Sequence, residues 1–218
     1  MADFARFLPR LLATEGGYCH TPGDAGQETW RGVARAYHPQ WPGWALVEAA
    51  KRRLGLHSPV PPAGYPALNH ALGADTTLSA WVSTFYKTEF WDVLRLDELR
   101  SQALAEQLAD HGANAGPARP ARMLQFALAQ LGYAALAEDG VVGPATLAAA
   151  NSCPPRLLYN ALVALRQAFY RYRAAQATPP PGSPVLALLA RLRVRPEPSQ
   201  RRFLPSWLAR IAALPYTE

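Results

Sequence analysis

Apolar residues recur at helical spacing through most of the chain. Phe4, Phe7, Leu8, Leu11 and Leu12 form one stripe and predict an amphipathic helix over 3–14, which Pro9 should kink or delay at its start. Glu15 closes that stripe, and the helix-stopping pair Gly16-Gly17 follows at once. Residues 16–33 lose the 3.6-residue period and are rich in Gly, Pro, Asp and Thr, the composition of a loop or short hairpin. A short helix and turn is expected between Trp30 and Trp44, a helix over 45–54, and a proline-rich connection from His57 to Pro66. Leu78, Trp81, Val82, Phe85 and Tyr86 make the next stripe, and Leu99, Ala103, Leu104, Leu108 and His111 another. Further helices are expected over 119–131, after Pro144, over 155–175, and around Phe203, Trp207 and Ile211. Thr178 to Pro184 is the strongest linker signal. With no run of alternating strands and no internal repeat, the expected fold class is mainly α.

Half of the 218 residues are hydrophobic, enough for a packed core. No uncharged apolar run is long enough for a transmembrane helix, and Asp3, Arg6 and Arg10 interrupt any signal-peptide pattern, so synthesis in the cytoplasm is expected. The net charge of +6 is uneven: residues 1–92 balance eight Lys/Arg with eight Asp/Glu, whereas 93–218 carry fourteen against eight. Ten arginines lie between Arg156 and Arg210, a distribution that attracts an anionic polymer without selecting which one. Aromatics are not interleaved there as in a nucleic-acid motif, so no specific nucleic-acid partner is expected. Cys19 and Cys153 are far apart and in no metal-like spacing, and the five histidines include no H-E-x-x-H string; neither a metal nor a cofactor is expected.

A carboxylate that ends an apolar helical face beside a glycine-rich loop sits where partial burial and the negative helix end raise a carboxyl pKa, as a general acid requires. The same position also suits an ordinary solvent-facing glutamate in a last helical turn.

The surrounding string adds information. Glu15-Gly16-Gly17-Tyr18, then Pro22, Asp24, Gly26, Thr29 and Arg31-Gly32-Val33, closely resembles the N-terminal signature of glycoside hydrolase family 108, which contains bacterial and phage N-acetylmuramidases. The resemblance continues through Tyr37-His38-Pro39, Trp41 to Trp44, Phe85-Tyr86 and Phe90-Trp91-Asp92. Asp110, Asn114, Gly116, Leu124-Gln125 and Asp139 to Thr146 then resemble the peptidoglycan-binding segment that commonly follows. Departures are Gln27 in place of a glycine, Trp30 after Thr29, and Ala113 before Asn114; none removes a group the chemistry requires.

The resemblance implies a lysozyme-like helical fold with a short loop or hairpin after the catalytic helix. It implies an enzyme that cleaves the β-1,4 bond between N-acetylmuramic acid and N-acetylglucosamine, with Glu15 as catalytic acid. Asp24 and Thr29 follow in the acid–Asp–Thr order of many phage lysozymes, where the later pair flanks a nucleophilic or stabilising site; a turn aspartate and a strand threonine are the alternatives. Tyr18, Asp110, Asn114 and Gln125 are the expected substrate-binding residues, with a buried tie between parts of the fold as the alternative for Asp110 and Asn114. Trp30 and Trp91 fit a core better than a sugar platform, and Asp139-Gly140 and Gly143-Pro144 fit a turn and a helix start. The expected division is a catalytic region over 1–92, a peptidoglycan-binding region over 93–176, and a linker with a last helix over 177–218. The expected partner is the peptidoglycan glycan strand, in the periplasm or on the cell wall. A holin, a secretion machine or an immunity protein suits the candidate settings of phage endolysin, secretion-associated muramidase and antibacterial effector. A non-catalytic wall-binding or secretion-associated protein is the alternative.

Overall fold

A computed structural model describes residues 1–20, 26–133 and 136–217. By chain packing these fall into two units: Ala5–Lys87, and Met1–Phe4 together with Thr88–Glu218. Residues 177–217 are therefore part of the second unit rather than a region of their own. The fold is mainly α.

In the first unit, helix α1 (Phe4–Thr14) starts where its apolar stripe starts, with Pro9 inside it rather than at its beginning. The glycine-rich segment after it forms three short antiparallel strands, β1 (Tyr18–His20), β2 (Glu28–Trp30) and β3 (Val33–Ala34), in the order β1-β2-β3. The register pairs Tyr18 with Trp30 and His20 with Glu28, so Tyr18, Glu28 and Trp30 are buried while Cys19 is exposed. Helices α2 (Gly43–Arg53), α3 (Tyr65–Gly73) and α4 (Thr76–Tyr86) pack on one another, and α3 also packs on β1. No helix forms between Trp30 and Gly43, where turns replace the expected one. Conversely, α3 begins inside the proline-rich segment, with Pro66 in its first turn, where a missing N–H costs nothing.

The second unit is built on α5 (Gln102–Ala115), every residue of which from Ala103 to Gly112 is buried. Helices α6 (Ala118–Gln130) and α8 (Pro155–Arg173) cover it, α7 (Pro144–Ser152) packs on both of these, and α9 (Pro184–Arg191) and α10 (Leu204–Ala212) pack on α8. The Thr178–Pro184 segment is the connection between α8 and α9, and Pro184 itself opens α9. Leu158, Leu162, Leu165 and Phe169 of α8 are buried as their spacing predicts. Arg166 is buried among them, which the apolar pattern does not announce. Ser101 caps α5 and Asp75 caps α4 by accepting backbone N–H groups.

Candidate active site and wall-binding unit

Glu15 stands one residue past α1, its backbone N–H still donating to the Leu11 carbonyl, and its side chain is half-buried. Its surroundings come from the β2–β3 hairpin. The two loop residues, Arg31 (φ 43°) and Gly32 (φ 80°), are both left-handed, the geometry of the two-residue turn that matches strand twist. Position 32 is restricted twice over. A Cβ there would lie 2.8 Å from Glu15 Oε2 and closer still to the Tyr86 hydroxyl, which donates to the Arg31 carbonyl (2.9 Å). The Glu15 carboxylate, the turn and the end of α4 thus converge on the volume that glycine leaves empty.

The Glu15-Gly16-Gly17-Tyr18 string divides in the same way. Nothing approaches Gly16, but a Cβ on Gly17 would meet Asn69, with Cγ at 2.8 Å. Asn69 Oδ1 in turn accepts the Tyr18 N–H at 2.6 Å. Gly17 therefore lets α3 dock on the chain just after Glu15, and Asn69 fixes the direction in which β1 leaves.

Below the meander lies a charged network. The buried Glu28 carboxylate accepts from Lys51 Nζ (2.6 Å) and Tyr18 Oη (2.8 Å) and pairs with Arg35. Lys51, also buried, reaches Glu48 and Ser58 Oγ, each at 2.8 Å, and Arg35 pairs with Glu48 too. Burial alone would raise the Glu48 carboxyl, but hydrogen bonds from Lys51 and Arg35 hold it below the usual carboxylate range. Every buried charge has an opposite partner, which is the condition for tolerating it.

Tyr18, expected among the substrate-binding residues, belongs to this network. Its ring is 3% exposed and packs edge-on against Tyr65, and burial and the bond to Glu28 both push its hydroxyl pKa up. It supports the meander from within. Thr29 is the middle residue of β2, half-buried, opposite Cys19 on one side and Ala34 on the other. Asp24 lies outside the described residues. Trp30 and Trp91 are core residues, 2% and 0% exposed.

In the second unit the three remaining candidates each hydrogen-bond within the fold. Asp110 is buried, with Oδ2 accepting from Arg166 Nη2 (2.7 Å) and Oδ1 from Arg210 Nε (2.6 Å), so both oxygens are taken by α8 and α10. Asn114 is exposed, and its Oδ1 accepts from Tyr170 Oη at 3.0 Å, one turn along α8 from the Arg166 that holds Asp110. Gln125 is buried and holds the following loop from both ends of its amide. Its Nε2 donates to Asp139 Oδ1 (2.7 Å) and Val141 O (2.9 Å), and its Oε1 accepts from Gly140 N (3.0 Å). The Val141 N–H and Gln125 together lower the Asp139 carboxyl pKa. Among the ten arginines between Arg156 and Arg210, Arg166 and Arg210 are committed to Asp110, and Arg191 holds Glu138 bidentately at 2.9 and 3.0 Å.

Gly32, Tyr86, Asn69 and Glu28 are the residues that sequence reasoning passed over. Gly32 and Tyr86 stood in the quoted strings without a role. Glu28 and Asn69 gave no signal, since their partners lie 23 and 51 residues away. Among the described residues no three His, Cys, Asp or Glu side chains gather as a metal site, and no helix is long and apolar enough to cross a membrane.

The first unit thus sets a half-buried glutamate, just past a helix end, against a β-hairpin turn, and the regular elements of the second unit are all helices among its described residues. The glycosyl hydrolase 108 model matches residues 8–116, and a predicted peptidoglycan domain matches residues 119–212. The chain belongs to the glycosyl hydrolase 108 family, and it is a peptidoglycan hydrolase. No curated protein matches it by sequence. Among solved structures with the same fold is SagA of Brucella abortus, 21% identical over 97% of this chain and 94% of that one, with a TM-score of 0.52.

Proposed function

We propose that this enzyme cleaves the β-1,4 bond between N-acetylmuramic acid and N-acetylglucosamine, with Glu15 delivering the proton to the glycosidic oxygen. The observation that carries the reading is the convergence of the half-buried Glu15 carboxylate on the Gly32 turn. A carboxyl group held by packing against a rigid turn presents its proton in one direction, as general acid catalysis needs. Asp24 is proposed as the second carboxylate, with Thr29 positioning it or a water; the sequence order Glu15, Asp24, Thr29 supports this. The substrate would be reached in the periplasm or on the wall, where a bacteriolytic endolysin, secretion-associated or antibacterial role would be exercised.

The test is Glu15→Gln on purified sacculi. The amide is nearly isosteric but holds no transferable proton, so release of reducing N-acetylmuramic acid ends should fall by about 10²–10⁴-fold with an unchanged melting temperature. More than about a tenth of the parent rate remaining would remove Glu15 from the role. Reducing N-acetylglucosamine ends, or free stem peptides, would assign a different bond. Asp24→Asn should cost about 10²-fold or more with little change in stability, whereas a turn residue would lose stability and keep its rate.

A further inference from the structure

Four arginines of the second unit gather around one cavity of about 550 Å³. Arg119 and Arg122 stand one turn apart near the start of α6, Arg191 is the last residue of α9, and Arg193 follows it. The cationic cluster is held in place from several sides. Arg119 donates to the Ala115 carbonyl at the end of α5, yet its Nε is buried with no hydrogen-bond partner among the described residues. Arg122 is pressed by the Asp139-Gly140 turn: a Cβ on Gly140 would lie 3.1 Å from its Nε. That turn is the one Gln125 locks, so the Asp-Gly pair seats an arginine at the cavity. Two acids stand nearby, but Glu138 is bound to Arg191 and Asp139 is occupied by Gln125 and the Val141 N–H. Two positive charges of the cluster are left uncompensated.

We infer that this cavity binds the free carboxylates of peptidoglycan stem peptides. The inference rests on the peptidoglycan reading and specifies which part of the polymer the second unit grips. Like charges gathered against one another repel, and an anion shared between them is the arrangement that relieves this. The cavity lies in the size range of ligand sites and is too large for a single oxyanion; it admits a short peptide carrying one. Glycan strands themselves are neutral apart from their peptides and termini, so arginine recognition of peptidoglycan falls on peptide carboxylates.

The experiment uses the full chain carrying Glu15→Gln, so that cleavage does not consume the ligand, and sacculi stripped of phosphate polymers. Cosedimentation is measured on native sacculi and on sacculi whose carboxyls have been amidated with carbodiimide and ammonia, at constant ionic strength. Amidation should weaken binding by about tenfold, as should Arg119→Gln with Arg193→Gln, and the two together should weaken it no further. Unchanged binding by the variant overturns the inference, as does additivity of the two losses, which would place the carboxylates elsewhere. Displacement by inorganic phosphate, with no effect of amidation, would make this a phosphate site and also overturn it. Arg193 is exposed, so Arg193→Gln alone serves if the double variant melts early; it should still weaken binding by about threefold, and no loss would count against the site. Reducing-end release by the unsubstituted chain is scored separately, so failure of the hydrolase reading is visible apart from failure of this one.

Discussion

Glu15 and Asp110 are both carboxylates on core helices or at their ends, and the two units treat them in opposite ways. Asp110 is sealed between Arg166 and Arg210, each oxygen with its own guanidinium, and so ties α5 to α8 and α10. Glu15 is half-buried, meets a turn built around a missing side chain, and stands above a separate network in which Glu28, Lys51, Glu48 and Arg35 satisfy one another. Rigidity under the meander is supplied by Glu28 and its partners.

The sharpest way to break this contrast is Asp110→Asn. It should cost about 3–5 kcal/mol, because the buried Arg166 and the half-buried Arg210 lose their counter-charge, while the rate measured below the melting transition stays near that of the parent. A variant that melts normally yet is inactive would exchange the roles assigned to the two carboxylates. Gly32→Ala comes next. Its Cβ cannot coexist with the Tyr86 hydroxyl and Glu15 Oε2, and the backbone is left-handed, so about 2 kcal/mol of stability should be lost together with most of the activity. Full activity in that variant would mean that the carboxylate does not need the turn.

His111 separates the units by pH. It is fully buried on α5, and burial first, then the charges of Arg166 and Arg119, hold its pKa well below the ordinary value. The unfolded chain therefore takes up the proton before the folded one does. The stability that His111 contributes as a neutral group is complete above the unfolded pKa of about 6.5 and is lost below it, at up to about 1.4 kcal/mol per pH unit. Melting temperatures at pH 7.5 and 5.5 should diverge for the parent and converge for His111→Gln; equal slopes would place the acid sensitivity in other groups. The smallest effect belongs to Tyr86→Phe, which removes the bond to the Arg31 carbonyl. About 1 kcal/mol and a several-fold lower kcat are expected, with KM little changed. A change confined to KM would place Tyr86 in substrate binding instead.

Much of the fold was legible because it rests on periodicity. The stripe from Phe4 to Leu12 fixes α1 and puts Glu15 at its end, and the spacing from Leu158 to Phe169 gives α8 its buried face. Helices α3 and α9 were hidden because Pro66 and Pro184 read as connections, although proline in a first turn starts a helix as readily as it ends one. Within the site the limits are those of long-range pairing. Tyr18 beside Glu15 suggested a sugar platform, but strand alternation turns it inward with Trp30 onto Glu28. Asp110 and Asn114, four apart, suggested one shared face, and both do meet α8. Their fates were decided by Arg166, Arg210 and Tyr170, which lie 56, 100 and 56 residues from the residues they bind and carry no local signature.

The register of the meander also has a practical use. Cys19 faces outward on β1, directly across from Thr29, while Cys153 is enclosed and burial pushes its thiol pKa up. A maleimide dye at neutral pH should therefore couple to position 19 and leave position 153 untouched, with no cysteine having to be engineered in or out. The fluorophore would sit on the strand next to the one carrying Thr29. Its emission could follow the arrival and departure of glycan fragments in real time, in a chain whose own thiols already provide a single optical handle.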